Sequence, residues 1–226
     1  MTSTRNRSRP RSGSAQKQRR SRPTRTWATV AVVVIAAIAG LAAVYAAAGG
    51  SRAGGASEAG EYAFEVGEPG PGEQAPPFEL PSTTGETVAL DDYRDQTVLL
   101  YFQEGLMCQP CWDQLTDIEA RWDDFEAAGV DRIVTITTDP IDALRQKVEL
   151  EGISSPALSD RDLAVSKQYD TNSYGMMGGS HNGHSFVLAG PDGEIQWRAD
   201  YGGAPDYTMY LPVDSVLADL QADQGS

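Results

Sequence analysis

The apolar positions of this chain fall into two regimes. From Trp27 to Ala48 the sequence reads WATVAVVVIAAIAGLAAVYAAA without a single charge. At about 1.5 Å of rise per helical residue such a run spans roughly 33 Å, so it predicts a transmembrane helix over 27–48. Trp27 and Tyr45 stand near its ends, where amphipathic rings favour the bilayer interface. Beyond Pro76 the pattern changes to short, alternating strand and helix signals. Phe78–Leu80 and Val88–Leu90 flank Thr83-Thr84-Gly85-Glu86 as a β-hairpin. Val98–Phe102 is continuously apolar, as in a strand buried on both faces. Trp112, Leu115, Ile118, Trp122 and Phe125 recur every three or four residues and predict a helix from Pro110 to Ala128, stopped by Gly129. Arg132–Thr137 reads as a second central strand, and Asp139-Pro140 opens a helix running to Glu151 with an acidic N-cap. A short segment at Ala157-Leu158, a helix over Asp160–Tyr169, a hairpin of His184–Leu188 with Ile195–Ala199, and a final helix over Pro212–Ala222 complete the order. Strands alternating with helices and closing on an antiparallel hairpin predict an α/β three-layer sandwich with a mixed sheet.

Charge divides the chain in the same way. Of 226 residues, 32 are acidic and 18 are Lys or Arg, a net charge of −14. Nine of the cations lie within residues 1–25, which hold no acid. That basic tail predicts a cytoplasmic N-terminus and an extracytoplasmic C-terminal region. A cleaved signal peptide is the competing reading, but the apolar run exceeds the usual 7–15-residue core of about that range. Residues 1–26 lack apolar periodicity and read as a disordered tail, and the Gly- and Glu-rich stretch 49–75 reads as a flexible acidic linker. The folded domain is thus expected over 76–222. Its acid excess argues against nucleic acid as a partner, since phosphate contacts need clustered cations.

The two cysteines of the chain form Cys108-Gln109-Pro110-Cys111, where the apolar strand ends and the long helix begins. Cα atoms so spaced in a first helical turn lie about 5.5 Å apart, which a disulfide can bridge. Free N–H groups and the helix dipole favour a thiolate at Cys108, and Pro110 presets the turn. Redox exchange, with Cys108 attacking and Cys111 resolving, stands beside metal binding and an inert staple. A loop this short removes little chain entropy, which makes the staple the weakest of the three.

Gly72-x-x-Ala75-Pro76-x-Phe78-x-Leu80, Thr84-Gly85, Leu90-x-x-Tyr93, the strand running into Cys108-x-x-Cys111-Trp112, Phe186-Val187-Leu188 and Pro191-Asp192-Gly193 together resemble a known group. It is the redoxin, or alkyl hydroperoxide reductase/thiol-specific antioxidant, group of the thioredoxin superfamily, over about residues 72–222. The resemblance implies a thioredoxin-like fold and an antioxidant or redox-homeostasis activity through the dithiol without a cofactor. Peroxiredoxins place Pro seven residues and Thr or Ser three residues before the attacking cysteine, and here those positions hold Tyr101 and Gly105. The proline that faces the dithiol in thioredoxins would fall near Gly183.

The loop Tyr174–His184 carries both histidines and two methionines. By fold analogy it faces the dithiol, so His184 joins Cys108 and Cys111 as a candidate site residue, stabilising a thiolate or moving protons. His184-Ser185 before an apolar strand also resembles Sco-type copper chaperones, and two thiols with an imidazole suit Cu(I). Glu104 and Asp113 read as solvated carboxylates. The expectation is therefore a membrane-anchored, extracytoplasmic thiol–disulfide oxidoreductase acting on protein or small-molecule thiols. A copper-binding chaperone or sensor using Cys108, Cys111 and His184 is the alternative, and a thiol peroxidase the further one.

Overall fold

The computed structural model describes residues 62–224. The basic tail, the predicted span 27–48 and the first part of the linker lie outside the described residues. Among the described residues, no helix is long and apolar enough to cross a membrane.

The first two strands among the described residues form an antiparallel hairpin, β1 (Glu79–Pro81) and β2 (Thr87–Ala89), in the register Leu80 opposite Val88. A five-stranded mixed sheet follows, built from β3 (Val98–Phe102), β4 (Arg132–Thr137), β5 (Ala157–Ser159), β6 (Ser185–Ala189) and β7 (Ile195–Asp200) in the order β5-β4-β3-β6-β7. β3, β4 and β5 run parallel, whereas β6 and β7 are antiparallel to their neighbours. The central strand β3 is buried at all five positions, and its alternation splits the core in two. Leu99 and Tyr101 face Trp112, Leu115 and Ile118 of helix α1 (Gln109–Ala120) and Val216 and Leu220 of helix α5 (Val213–Gln224). Val98, Leu100 and Phe102 face Phe78, Leu80 and Tyr169 on the other side. Helices α2 (Trp122–Ala127) and α3 (Ile141–Glu151) also pack on the first face through Phe125 and Leu144, and the short helix α4 (Ala164–Gln168) packs on the second through Val165. The predicted three-layer sandwich is the fold observed.

Three expectations need correction. The helix over 110–128 is two helices, because Arg121 leaves the helical region (φ −118°, ψ 31°) and its side chain bonds Asp124 at 2.7 Å. The helix expected from Asp160 begins only at Ala164. Asp160 stays outside it, fully buried, and its carboxylate accepts the N–H groups of Val165 and Ser166 at 3.3 and 2.7 Å. The third correction concerns the linker, whose part from residue 62 on is built into the domain. Glu65 exchanges backbone hydrogen bonds with Asp200, and Gly72 and Glu73 bond Ile195, so this strap covers the outer edge of β7. Arg198 and Asp200, both with wholly buried side chains, pair at 2.8 Å, and Asp200 Oδ2 accepts Gly67 N–H at 2.8 Å while Arg198 donates to the Pro69 carbonyl at 3.0 Å. Composition marks 62–75 as loose, yet a buried ion pair fastens it.

Candidate active site

Cys108 occupies the N-cap of α1, and its Sγ accepts the Cys111 N–H at 3.3 Å. The two cysteines form a disulfide with Cα atoms 5.4 Å apart. Cys108 keeps 6% of its surface exposed and Cys111 none, so Cys108 is the sulfur a partner reaches first. The first turn of α1 carries no acidic residue, and the helix N-terminus with the Cys111 N–H donating to this sulfur favours a thiolate after reduction.

The segment entering the helix is held by Gly105 and Asp139. Gly105 has φ +89°, and its carbonyl accepts both the Cys108 N–H and the Trp112 Nε1–H at 3.0 Å. A Cβ there would lie 1.8 Å from Asp139 Oδ2, so both the backbone angle and the space demand glycine. Asp139, expected to cap the next helix, instead turns its carboxylate to the Leu106 N–H at 2.8 Å, and Pro140 takes the N-cap of α3.

Tyr101 approaches the dithiol from beneath. Its hydroxyl donates to the Cys111 carbonyl at 3.1 Å, and its ring stacks on Phe186 with centroids 4.6 Å apart. Burial, reinforced by the nearby Glu104, pushes the phenol well above its ordinary pKa, so the hydroxyl remains a donor. From the side, Lys147 on α3 donates to Gln109 Oε1 at 2.7 Å and to Glu151 at 2.6 Å, with its ammonium 5.6 Å from the Trp112 ring centroid. The residue between the cysteines is thereby tied to a helix nearly forty positions away.

His184 is fully buried on the same face of the sheet as Tyr101, with ring centroids 5.2 Å apart. Its Nδ1 lies 3.0 Å from the Thr208 carbonyl, which can only accept, so Nδ1 carries the proton and Nε2 is left unprotonated and without a partner. Burial lowers the imidazole pKa to about 3, against the weaker pull of the Thr208 and Met209 backbone. His184 is therefore neutral at ordinary pH and supplies no positive charge to a thiolate. It reaches the cysteines through Tyr101, and neither of its nitrogens is bonded to a sulfur. Among the described residues no group of three or more His, Cys, Asp or Glu side chains is placed to hold a metal ion, so the copper set Cys108, Cys111 and His184 is not assembled here.

The loop before β6 is tied to the segment that precedes the dithiol. Glu104, expected to be solvated, is 6% exposed and accepts the Met176 N–H at 2.6 Å, which pins the loop to the segment leading into Cys108. Asp113 is exposed as expected and bonds Gln109 at 2.9 Å. Where thioredoxins carry a proline, Gly183 packs so closely on the Tyr174 carbonyl that a Cβ would lie 1.3 Å from it. His181 sits half-buried on the loop, with Nδ1 3.1 Å from Ser180 Oγ. Tyr101, Asp139 and Lys147 are the supports that sequence reading missed. Tyr101 stood out only as an unexpected residue at a motif position, Asp139 looked like a cap, and Lys147 had no local signal.

Comparison with known proteins matches residues 71–198 to the AhpC/TSA family. Peroxiredoxin Bcp of Escherichia coli is 34% identical over 128 residues, covering 55% of this chain and 81% of that protein. The thiol-disulfide oxidoreductase ResA of Halalkalibacterium halodurans is 30% identical over 98 residues, covering 43% of this chain and 55% of that protein. The solved structure of peroxidoxin BcpB from Mycobacterium tuberculosis superimposes with a TM-score of 0.56 at 23% identity, over 68% of this chain and 97% of that one.

Proposed function

Because the chain belongs to the AhpC/TSA family of oxidoreductases, we propose that it is a thiol–disulfide oxidoreductase cycling Cys108 and Cys111 between dithiol and disulfide. The observation that carries this reading is the use made of the two positions where peroxiredoxins hold their peroxide-activating Pro and Thr or Ser. Here Tyr101 spends its hydroxyl on the Cys111 carbonyl, and Gly105 spends its carbonyl on Cys108 and Trp112. Both positions brace the two-cysteine turn, and neither offers a hydroxyl to a peroxide at Cys108.

In the exchange, the Cys108 thiolate attacks a sulfur of the substrate disulfide and displaces one substrate thiolate. Cys111 then attacks Cys108 Sγ, releases the second thiolate and closes the internal disulfide, so two electrons pass to the substrate. The buried Cys111 is shielded from competing partners and meets only the mixed disulfide. Insulin reduction driven by dithiothreitol tests the reading: Cys108→Ser should abolish it, and activity surviving in that variant refutes the mechanism.

Thiol peroxidase activity is the second reading, favoured by the similarity to peroxiredoxin Bcp. In that case the Cys108 thiolate attacks a peroxide oxygen, the O–O bond breaks to release an alcohol or water, and Cys111 condenses with the resulting sulfenic acid, forming the disulfide and releasing a water. Peroxide consumption by the reduced chain faster than its reduction of insulin would favour it. We further propose that the apolar run 27–48 anchors the protein in a membrane with the domain on the extracytoplasmic side, following the charge-free run and the basic tail before it. Alkylation of Cys108 in intact cells by a membrane-impermeant reagent tests this, and labelling only after lysis would refute it.

A further inference from the structure

Gln109, between the cysteines, faces solvent, yet both ends of its amide are occupied. Lys147 donates to Gln109 Oε1 at 2.7 Å, and Gln109 Nε2 donates to Asp113 Oδ1 at 2.9 Å and to Glu151 Oε1 at 3.3 Å. An exposed glutamine ordinarily keeps its rotamer freedom and gives it up only to such partners. Lys147 also touches the residue on the far side of Pro110-Cys111. Its ammonium lies 5.6 Å from the ring centroid of Trp112, which is fully buried. The Trp112 Nε1–H in turn donates to the Gly105 carbonyl that also accepts the Cys108 N–H.

Lys147 is itself confined. Its side chain is 12% exposed, and Glu151, one helical turn on, holds the ammonium at 2.6 Å. That partner offsets the charge, so Lys147 acts on the dithiol by where it holds Gln109 and Trp112. Position matters most in the second half of the exchange. There the Cys111 thiolate attacks Cys108 Sγ, the bond from Cys108 to the substrate sulfur breaks as the Cys108–Cys111 bond forms, and the substrate sulfur leaves as a thiolate. The dithiol is oxidised and the substrate disulfide reduced. This step is intramolecular, so its rate follows the share of time that the turn keeps the two sulfurs in reach. In the closed turn the two Cα atoms are 5.4 Å apart.

We propose that Lys147 is a positioning residue for this resolving step. By gripping Gln109 and Trp112, on either side of Pro110-Cys111, it keeps the turn close to its closed geometry once the Cys108–Cys111 bond has opened. The inference rests on the thiol–disulfide exchange reading and adds the residue that speeds its second half.

The test mixes the reduced full chain with excess dithiodipyridine, an uncharged disulfide that yields a chromophoric pyridinethione at each step. Attack by Cys108 releases the first, at a rate that rises with reagent concentration, and closure by Cys111 releases the second, at a rate that does not. The chain has two cysteines, so no other thiol contributes. Lys147→Met keeps an apolar stem beside Trp112 but loses the donors, and should slow closure about 10-fold while changing the first release less than about twofold. Lys147→Arg, which keeps the charge and the donors, should recover most of the closure rate. Gln109→Ala should slow closure several-fold, and Lys147→Met added to it should cost less than it does alone. Closure unchanged in Lys147→Met, or both releases slowed equally, overturns the proposal. A shifted pH midpoint of the first release in Lys147→Met would show that Lys147 acts through its charge on the Cys108 thiolate, and also overturns it. A wild-type chain that releases one pyridinethione and stops overturns the exchange reading and this inference with it. Normal closure that the variants leave untouched overturns the inference alone.

Discussion

The burial of His184 has a measurable acid signature. Its pKa falls from the ordinary 6.5 to about 3 in the folded chain, chiefly through burial. The folded imidazole stays neutral through this window while the unfolded one takes up a proton as pH drops below 6.5. The unfolded chain therefore binds more protons, and the stability contribution that is complete above pH 6.5 is lost as pH falls toward 3. At pH 5, one and a half units into the window at about 1.4 kcal/mol per unit, the loss is about 2 kcal/mol. Many carboxylates titrate in the same range, including Asp219, whose pKa burial raises and whose Oδ2 accepts the Tyr201 hydroxyl packed against His184. A single-site control removes that background. His184→Asn keeps an N–H donor for the Thr208 carbonyl and carries no titrating group. Urea unfolding of the oxidised full chain, followed by the buried Trp112 and Trp197, gives the stability at pH 7 and pH 5 for both proteins. Wild type should lose about 2 kcal/mol more than the variant over this interval, close to 1 M in urea midpoint. If both proteins lose the same amount, His184 is protonated in the folded state and its assignment as a neutral buried support is wrong.

Three further perturbations address other contacts. Tyr101→Phe removes only the hydroxyl bonded to Cys111 and should cost about 1 kcal/mol in denaturant unfolding; an unchanged midpoint would mean that this bond does not brace the turn. Gly105→Thr restores the peroxiredoxin residue but collides with Asp139 at positive φ, so it should destabilise by at least about 2 kcal/mol, and gain of peroxidase activity with a native midpoint would refute the account of that position. Arg198→Met leaves Asp200 buried without its partner and should cost about 3–5 kcal/mol, with limited proteolysis then cutting the strap over 64–73; a strap as resistant as wild type would show that the ion pair does not hold it.

Much of the scaffold was legible because its signals are local. The five buried positions of β3 follow from the continuous apolar run Val98–Phe102, and α1 follows from apolar residues three and four apart. The strand-to-helix placement of Cys108 and Cys111 is equally a matter of neighbours along the chain, and it was enough to expect Cys108 as the more exposed of the two and Cys111 as the buried one. Local periodicity failed where one residue broke a pattern for a distant partner. Arg121 interrupts the long helix while bonding Asp124 and Asp214, and Asp139 leaves its cap position for the Leu106 N–H.

What the amino-acid order determined by itself was which segments are strands and helices, that two thiols meet at a helix start, and that charge and apolar length set the first fifty residues apart. Only the tertiary structure decided how the site is supported. Packing brought the Tyr101 hydroxyl under Cys111, Lys147 beside Gln109 and Glu104 against Met176, and it buried His184 so deeply that its charge is lost. The physical reason is that periodicity reports the environment of neighbouring residues, whereas hydrogen bonds and desolvation depend on groups that the chain brings together from tens of positions apart.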